Sequence, residues 1–151
     1  MAGYLLDANV LIRSLHVSAA QHELASSSIA ILEERGERIC VPGQVLVELW
    51  SVATRPANVN GLGWPVEDGA HVVGGLWQRF LVPDDPPDAF AEWFRLASAY
   101  RVSGRRVHDL RLVAVAMGLG ASHVLTFNVD DFRAFTEITV VHPRQVVSGT
   151  P

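Results

Sequence analysis

Four acidic positions in widely separated segments carry the chemistry this chain offers. Asp7 follows the apolar run "YLL" and precedes "ANVLI". Glu48 lies in "GQVLVELW", between Val45, Val47, Leu49 and Val52, positions expected to be mostly buried. Asp109 begins the apolar stretch that includes Leu112, Val113 and Ala116, and Asp131 closes the polar trio Asn128, Asp130 and Asp131 in "TFNVDDF". Each has an ordinary structural explanation. Asp7 is placed to cap the following helix through its side-chain oxygen, although Asn9 would serve as a cap too. Glu48 fits the solvent edge of its helix beside Gln44 and Ser51. Asp109 gains from the dipole at a helix N-terminus, and Asn and Asp build turns by bonding nearby backbone. Against these stands the cost of an ionised carboxylate among apolar residues unless it is paired or binds a metal. Hard oxygen ligands of this kind suit Mg²⁺ or Mn²⁺ rather than Zn²⁺. Such ions neutralise phosphate oxygens, activate a water and stabilise a leaving oxygen, so the chemistry that fits is phosphodiester hydrolysis.

The elements that must position these groups follow from periodicity and punctuation. Tyr4 to Leu6 reads as a strand running into Asp7. A helix is expected from about Ala19 to Glu34, stopped by Gly36. The β-branched "RICV" reads as a strand, and Pro42 as the first turn of a helix over "GQVLVELWSVAT" that ends before Pro56. "RPANVNGLGWP" is rich in turn formers and reads as an exposed loop, with Trp64 either an interface aromatic or a partly buried core residue. Val66, Ala70, Val73, Trp77 and Phe80 repeat at helical spacing, as do Phe90, Trp93, Phe94 and Ala97, with a short strand "FLV" between the two helices. A largely apolar helix, "RRVHDLRLVAVAMGLG", comes next, and the strands "HVLT" and "ITVV" flank the polar loop "FNVDDF". About five strands alternating with helices imply an α/β fold, a mostly parallel sheet covered by helices on both faces. Ligands in such folds sit beyond the carboxyl ends of the strands. Asp7 and the Asn128–Asp131 segment should therefore face one crevice.

Composition narrows the field. A chain of 151 residues fits one domain, taken as 1–151, and buries about 70% of its unfolded surface without a disulfide staple. Cys40 is the only cysteine, which excludes an intrachain disulfide and a cysteine zinc cluster and suits a reducing compartment. No basic segment followed by an apolar core opens the sequence, and no apolar run reaches the roughly 20 residues a bilayer requires, so a cytoplasmic protein without membrane association is expected. A net charge of −4 argues against a protein that coats nucleic acid, but not against a nuclease holding cations in an acidic pocket. All 12 basic side chains are Arg, which excludes any mechanism requiring lysine.

The segments "YLLDANVLI", "VPGQVLVELW", "VHDLRLVAVAMGLGASHVLTFNVDDFRAF" and "ITVVHP" resemble, in that order, the PIN-domain ribonucleases, and among them the VapC-like toxins of type II toxin–antitoxin modules. The resemblance implies a PIN-like three-layer α/β/α domain and Mg²⁺- or Mn²⁺-dependent cleavage of RNA. It implies a homodimer and a cognate antitoxin that covers the active-site groove. Carried over by position, it implies catalytic carboxylates at Asp7, Glu48, Asp109 and Asp131, with Asn9 supporting the site. Asn128 stands where many members have Asp, so either Asn128 or Asp131 completes the metal site, while Asp130 matches a variable position. Arg13, Arg105 and Arg106 are candidates to bind the RNA backbone, where Arg grips phosphate bidentately. His108 is either a contact of the site or a solvated residue.

Alternatives remain: a PIN nuclease acting on DNA or precursor RNA without being a toxin, and a degenerate PIN domain kept for partner binding. A phospho-receiver domain, which also holds Mg²⁺ in an acidic pocket, requires a lysine that this chain lacks.

Overall fold

The computed structural model describes residues 3–149. Strand β1 (Gly3–Leu6) is buried along its length, and Leu5 and Leu6 are wholly shielded from solvent. Burying each of these side chains contributes about 1.5–3 kcal/mol, and cover on both faces is what a central parallel strand requires. With β2 (Arg38–Cys40), β3 (His123–Leu125) and β4 (Thr139–Val141) it forms a parallel sheet of order β2-β1-β3-β4. The register places Leu5 beside Cys40 and Leu6 beside Leu125. Asp7 and Thr126 therefore leave the sheet as neighbours, tied by the Asp7 N–H donating to the Leu125 carbonyl at 3.0 Å. From β1 the chain crosses to β2 on one flank and later returns to β3 on the other. That reversal is the point where parallel sheets open a crevice beyond the carboxyl ends of their strands.

Helix α1 (Ala8–Leu15) starts directly after β1 and packs on α2 (His22–Glu34), which also meets the last helix, α8 (Pro143–Ser148). Helix α3 (Gly43–Thr54) packs on α1 and on α4 (Val66–Arg79), while α5 (Ala89–Tyr100) packs on α6 (Arg106–Leu119). Gly36 and Gly120 follow α2 and α6, both at φ 70°, the left-handed conformation that ends helices and that glycine adopts without strain. Helices covering a parallel sheet give the expected α/β architecture. Cys40 is buried in β2, as its apolar neighbours predict. Among the described residues no helix is long and apolar enough to cross a membrane.

Among the described residues the sheet has four strands rather than the expected five. Phe80 caps α4, and in "FLV" only Leu81 pairs, through one parallel bridge to Cys40 in which its carbonyl accepts from the Val41 N–H at 2.8 Å. Pro83 then lacks the N–H that further pairing would use. "FNVDDF" is not simply a loop: it contains a helical turn, α7 (Val129–Phe132), anchored by the fully buried Phe132. The apolar faces of α4 and α5 match expectation in part, with Val73, Phe80, Trp93 and Ala97 in or against the core. Gly69, Leu76 and Phe80, then Ala89 and Leu96, face the core, whereas Trp77, Phe90 and Phe94 are exposed. Val47 beside Glu48 is 72% exposed, so that stretch of α3 is more open than its apolar sequence suggests.

Candidate metal and active site

Asp7 is 7% exposed, and both of its carboxylate oxygens are engaged. One accepts from the Ala8 N–H at 2.8 Å, capping α1. The other accepts from the Thr126 hydroxyl at 2.8 Å and the Asn9 amide at 3.0 Å. Capping and a place in the cleft are thus compatible: Asp7 caps α1 and lines the cleft at the same time. Asn9 also donates to Thr126 Oγ1 at 3.0 Å, and its own carbonyl oxygen accepts from the Phe127 N–H at 3.0 Å. Thr126, fully buried, accepts in addition from the Asn128 N–H at 3.0 Å. The start of α1 and the chain beyond β3 are locked together around Asp7.

Asp7, Glu48, Asp109, Asn128 and Asp131 line a single cleft of ≈ 710 Å³. Glu48 enters from the middle of α3 and Asp109 from the first turn of α6. Gln44, one turn before Glu48, donates to the His108 carbonyl at 3.2 Å and accepts from Arg111, which pairs with Asp85 at 2.6 Å. These contacts set the spacing of α3 and α6, and with it that of Glu48 and Asp109. Asn128 and Asp131 reach the cleft from the α7 turn and remain exposed. Asp130 points elsewhere, pairing with Arg133 at 3.1 Å on the surface.

The electrostatics of the cleft are unbalanced. Burial raises the pKa of Asp7, and the charge of Asp131 adds to the effect, outweighing the hydrogen bonds that favour its ionised form. Burial and then Asp7 hold Glu48 above the usual carboxylate range. Asp109 is pushed up to about 6, by burial first and then by Asp7, Asp131 and Glu48. None of the four carboxylates has an ion-pair partner among the described residues. Arg105, Arg106 and His108 also line the cleft: Arg105 and His108 ease the ionisation of Glu48, and Arg106 that of Asp109. Arg13 lies outside this lining, over the Phe127 ring at 4.8 Å and bonded to the Asn9 carbonyl at 3.2 Å. Trp64 is half-buried, its N–H donating to the Ala53 carbonyl at 2.8 Å.

Among the described residues no three His, Cys, Asp or Glu side chains are gathered closely enough to hold an ion between them. Mg²⁺ usually takes one or two carboxylates and keeps several waters. Carboxylate and amide oxygens spread along one cleft suit an ion held by one or two of them and by water, so the chemistry of the donor set fits. Thr126 and Gln44 are the positioning residues that sequence reasoning missed. Thr126 has one available signal, its place one residue beyond a strand that pairs with β1.

A model of the PIN domain matches residues 4–138. No curated protein matches the chain. Among solved structures it is similar to a chain of VapBC2 from Rickettsia felis bound to a promoter DNA fragment, at 14% identity and TM-score 0.71, covering 93% of this chain and 98% of that one. Similar too is a chain of DNA-bound VapBC from Salmonella typhimurium, at 21% identity and TM-score 0.68, covering 95% and 99%. A third is VapC20 of Mycobacterium tuberculosis, described as a Sarcin-Ricin loop cleaving toxin, at 15% identity and TM-score 0.66, covering 87% and 95%. At these identities the structural likeness speaks for the fold, while the match over 4–138 fixes the family: the chain belongs to the PIN domain family.

Proposed function

We propose that this protein is a divalent-metal-dependent endoribonuclease that hydrolyses RNA phosphodiester bonds in the cytoplasm as the toxin of a toxin–antitoxin pair. The observation that carries the proposal is a single cleft lined by four carboxylates without a compensating ion pair, in which burial and neighbouring charge raise the pKa of Asp7, Glu48 and Asp109. Asp7, Glu48, Asp109 and Asp131 would hold Mg²⁺ or Mn²⁺, with Asn128 offering a neutral oxygen. Bound there, the ion supplies charge neutralisation and Lewis-acid stabilisation at a phosphate. Asp7 contributes a preoriented oxygen donor, held by Thr126 and Asn9. Arg105 and Arg106, which line the same cleft, would steady the flanking phosphates, with Arg13 a more distant candidate.

The toxin assignment draws on the VapBC and VapC20 likenesses. Exposed aromatic side chains give it independent support. Phe90 and Phe94, one turn apart on α5, are 73% and 61% exposed, and Trp77 on α4 is exposed as well. Apolar surface of this kind suits a protein partner, here an antitoxin and a second copy of the chain.

The direct test compares wild type with Asp7→Asn on a mixed RNA pool in Mg²⁺, in Mn²⁺ and in EDTA. Cleavage by wild type in either metal, lost in EDTA and in the variant, is expected. Cleavage that persists in EDTA or in the variant would overturn the mechanism. No cleavage under any condition would point to a PIN domain used for partner binding.

A further inference from the structure

On the other side of α7 lies a second cavity, of ≈ 680 Å³, which shares Asn128 and Asp131 with the acidic cleft. Phe127, Val140, His142 and Gln145 form part of its wall. His142 and Gln145 make a capping box at the start of α8. The His142 Nδ1 accepts from the Arg144 N–H at 3.0 Å, and Gln145 Oε1 accepts from the His142 N–H at 2.8 Å.

The cap uses only one end of each side chain. With Nδ1 accepting, a neutral imidazole carries its proton on Nε2. Burial and the nearby Arg144 depress the His142 pKa, which keeps the ring neutral. The His142 Nε2–H and the Gln145 amide nitrogen have no hydrogen-bond partner among the described residues. A helix cap requires neither donor, since Asn, Ser or Asp at the first position and Glu at the fourth build the same box. The pair in this chain leaves two spare donors beside an aromatic contact, with Phe127 meeting the His142 ring edge-on at 5.3 Å between centroids.

Charge identifies the occupant. Among the lining residues Asp130 and Asp131 are offset by Arg133 alone, with Arg13 stacked on Phe127 and Arg144 beside His142 outside the wall, so the wall itself offers a phosphate no net positive charge. A neutral, planar molecule with acceptors along its edge fits the donors and the aromatic wall. Resting on the ribonuclease function proposed above, we propose that this cavity is a nucleobase subsite that receives one unpaired base of the RNA beside the cleaved phosphate, with preference for uracil or guanine. On the edge that faces the major groove of a duplex, guanine presents acceptors alone and uracil, like thymine, presents O4, whereas adenine and cytosine present an amino donor. Unpaired bases are also what sequence-selective proteins read in RNA, by stacking and edge contacts.

The test measures binding of oligo(U) and oligo(A) decamers by fluorescence anisotropy, with Ca²⁺ in place of Mg²⁺. Wild type should bind oligo(U) about tenfold more tightly than oligo(A). His142→Asp and Gln145→Glu both preserve the cap and replace the spare donors by acceptors, so the thermal midpoint should hold while the preference shrinks to about twofold or less. Using the ratio of the two affinities removes the general repulsion that an added carboxylate brings. Equal binding of the two oligomers by wild type, or a preference that survives both substitutions, overturns the subsite. Metal-dependent cleavage and its loss in Asp7→Asn are read separately, so failure of the subsite and failure of the nuclease assignment give different results.

Discussion

The two sides of the acidic cleft differ in how firmly they are held. On the sheet side, Asp7 is buried and fully bonded, with Thr126 and Asn9 fixing its orientation. On the helix side, Glu48, Asp109 and Asp131 make no side-chain hydrogen bond or ion pair among the described residues. Their spacing rests on the packing of α6 on α7 and on the Gln44 and Arg111 hydrogen bonds that link α3 to α6. In the proposed function, the first side would define where a cation sits and the second would adapt to it. Preorganised oxygens avoid reorganisation at the moment of reaction, while carboxylates without hydrogen-bond partners are free to turn apart in the metal-free protein.

The difference can be broken first at its rigid end. Asp7→Asn should reduce RNA cleavage by about a thousandfold, in line with losing one preorganised electrostatic group, while circular dichroism shows the fold intact. Thr126→Val keeps the shape but strands the Asn128 N–H and removes a donor from Asp7. It should cost about 1–3 kcal/mol of stability in denaturant unfolding and about 10–100-fold in metal affinity. On the helix side, Gln44→Ala should weaken Mn²⁺ binding by about tenfold with little change in stability, as expected for an orienting group outside the ligand set.

Sequence patterns exposed the carboxylates better than the groups that hold them. Asp7 stands out because an apolar strand ends in it, and Asp109 because an apolar helix begins there. Thr126 is invisible without the register that sets Leu6 beside Leu125, because a lone Thr at a strand end is ordinary. Period alone does not fix which helical face is buried: the spacing of Val66, Ala70, Val73, Trp77 and Phe80 is right for a helix, yet Trp77 faces outward. The strand expected at "FLV" fails for a local reason, compressed between the end of α4 and Pro83. The short α8 and its cap carry too few residues to show a period.

Titration sharpens the contrast further. The Asp109 carboxyl is raised from 3.8 to about 6 in the folded protein. A raised carboxylate pKa means the folded state holds the proton more tightly than the unfolded chain. The resulting stability is fully present below pH of about 4 and lost as pH rises through about 6. The melting temperature of the metal-free protein should therefore fall across that window, measured by calorimetry in EDTA. Saturating Mn²⁺ should raise the midpoint, and more so at pH 8 than at pH 5 on the order of the Asp109 titration. The smallest effect belongs to Asp130, whose surface pairing with Arg133 leaves it outside the cleft. Asp130→Ala should change stability by less than about 0.5 kcal/mol and leave Mn²⁺ affinity as in wild type, in contrast to Asp131→Ala.

The central claim is that the carboxylates facing one cleft from the end of β1 and from α3, α6 and α7 together attract one cation, held directly by one or two of them and otherwise by water. Mn²⁺ binding, followed by electron paramagnetic resonance on wild type, Asp7→Asn and Asp109→Asn at neutral pH, tests it most directly. The account predicts saturable binding by wild type and a loss of most affinity in each variant, although the two residues lie more than a hundred positions apart. Binding of equal strength in all three proteins, or none in wild type, would contradict it.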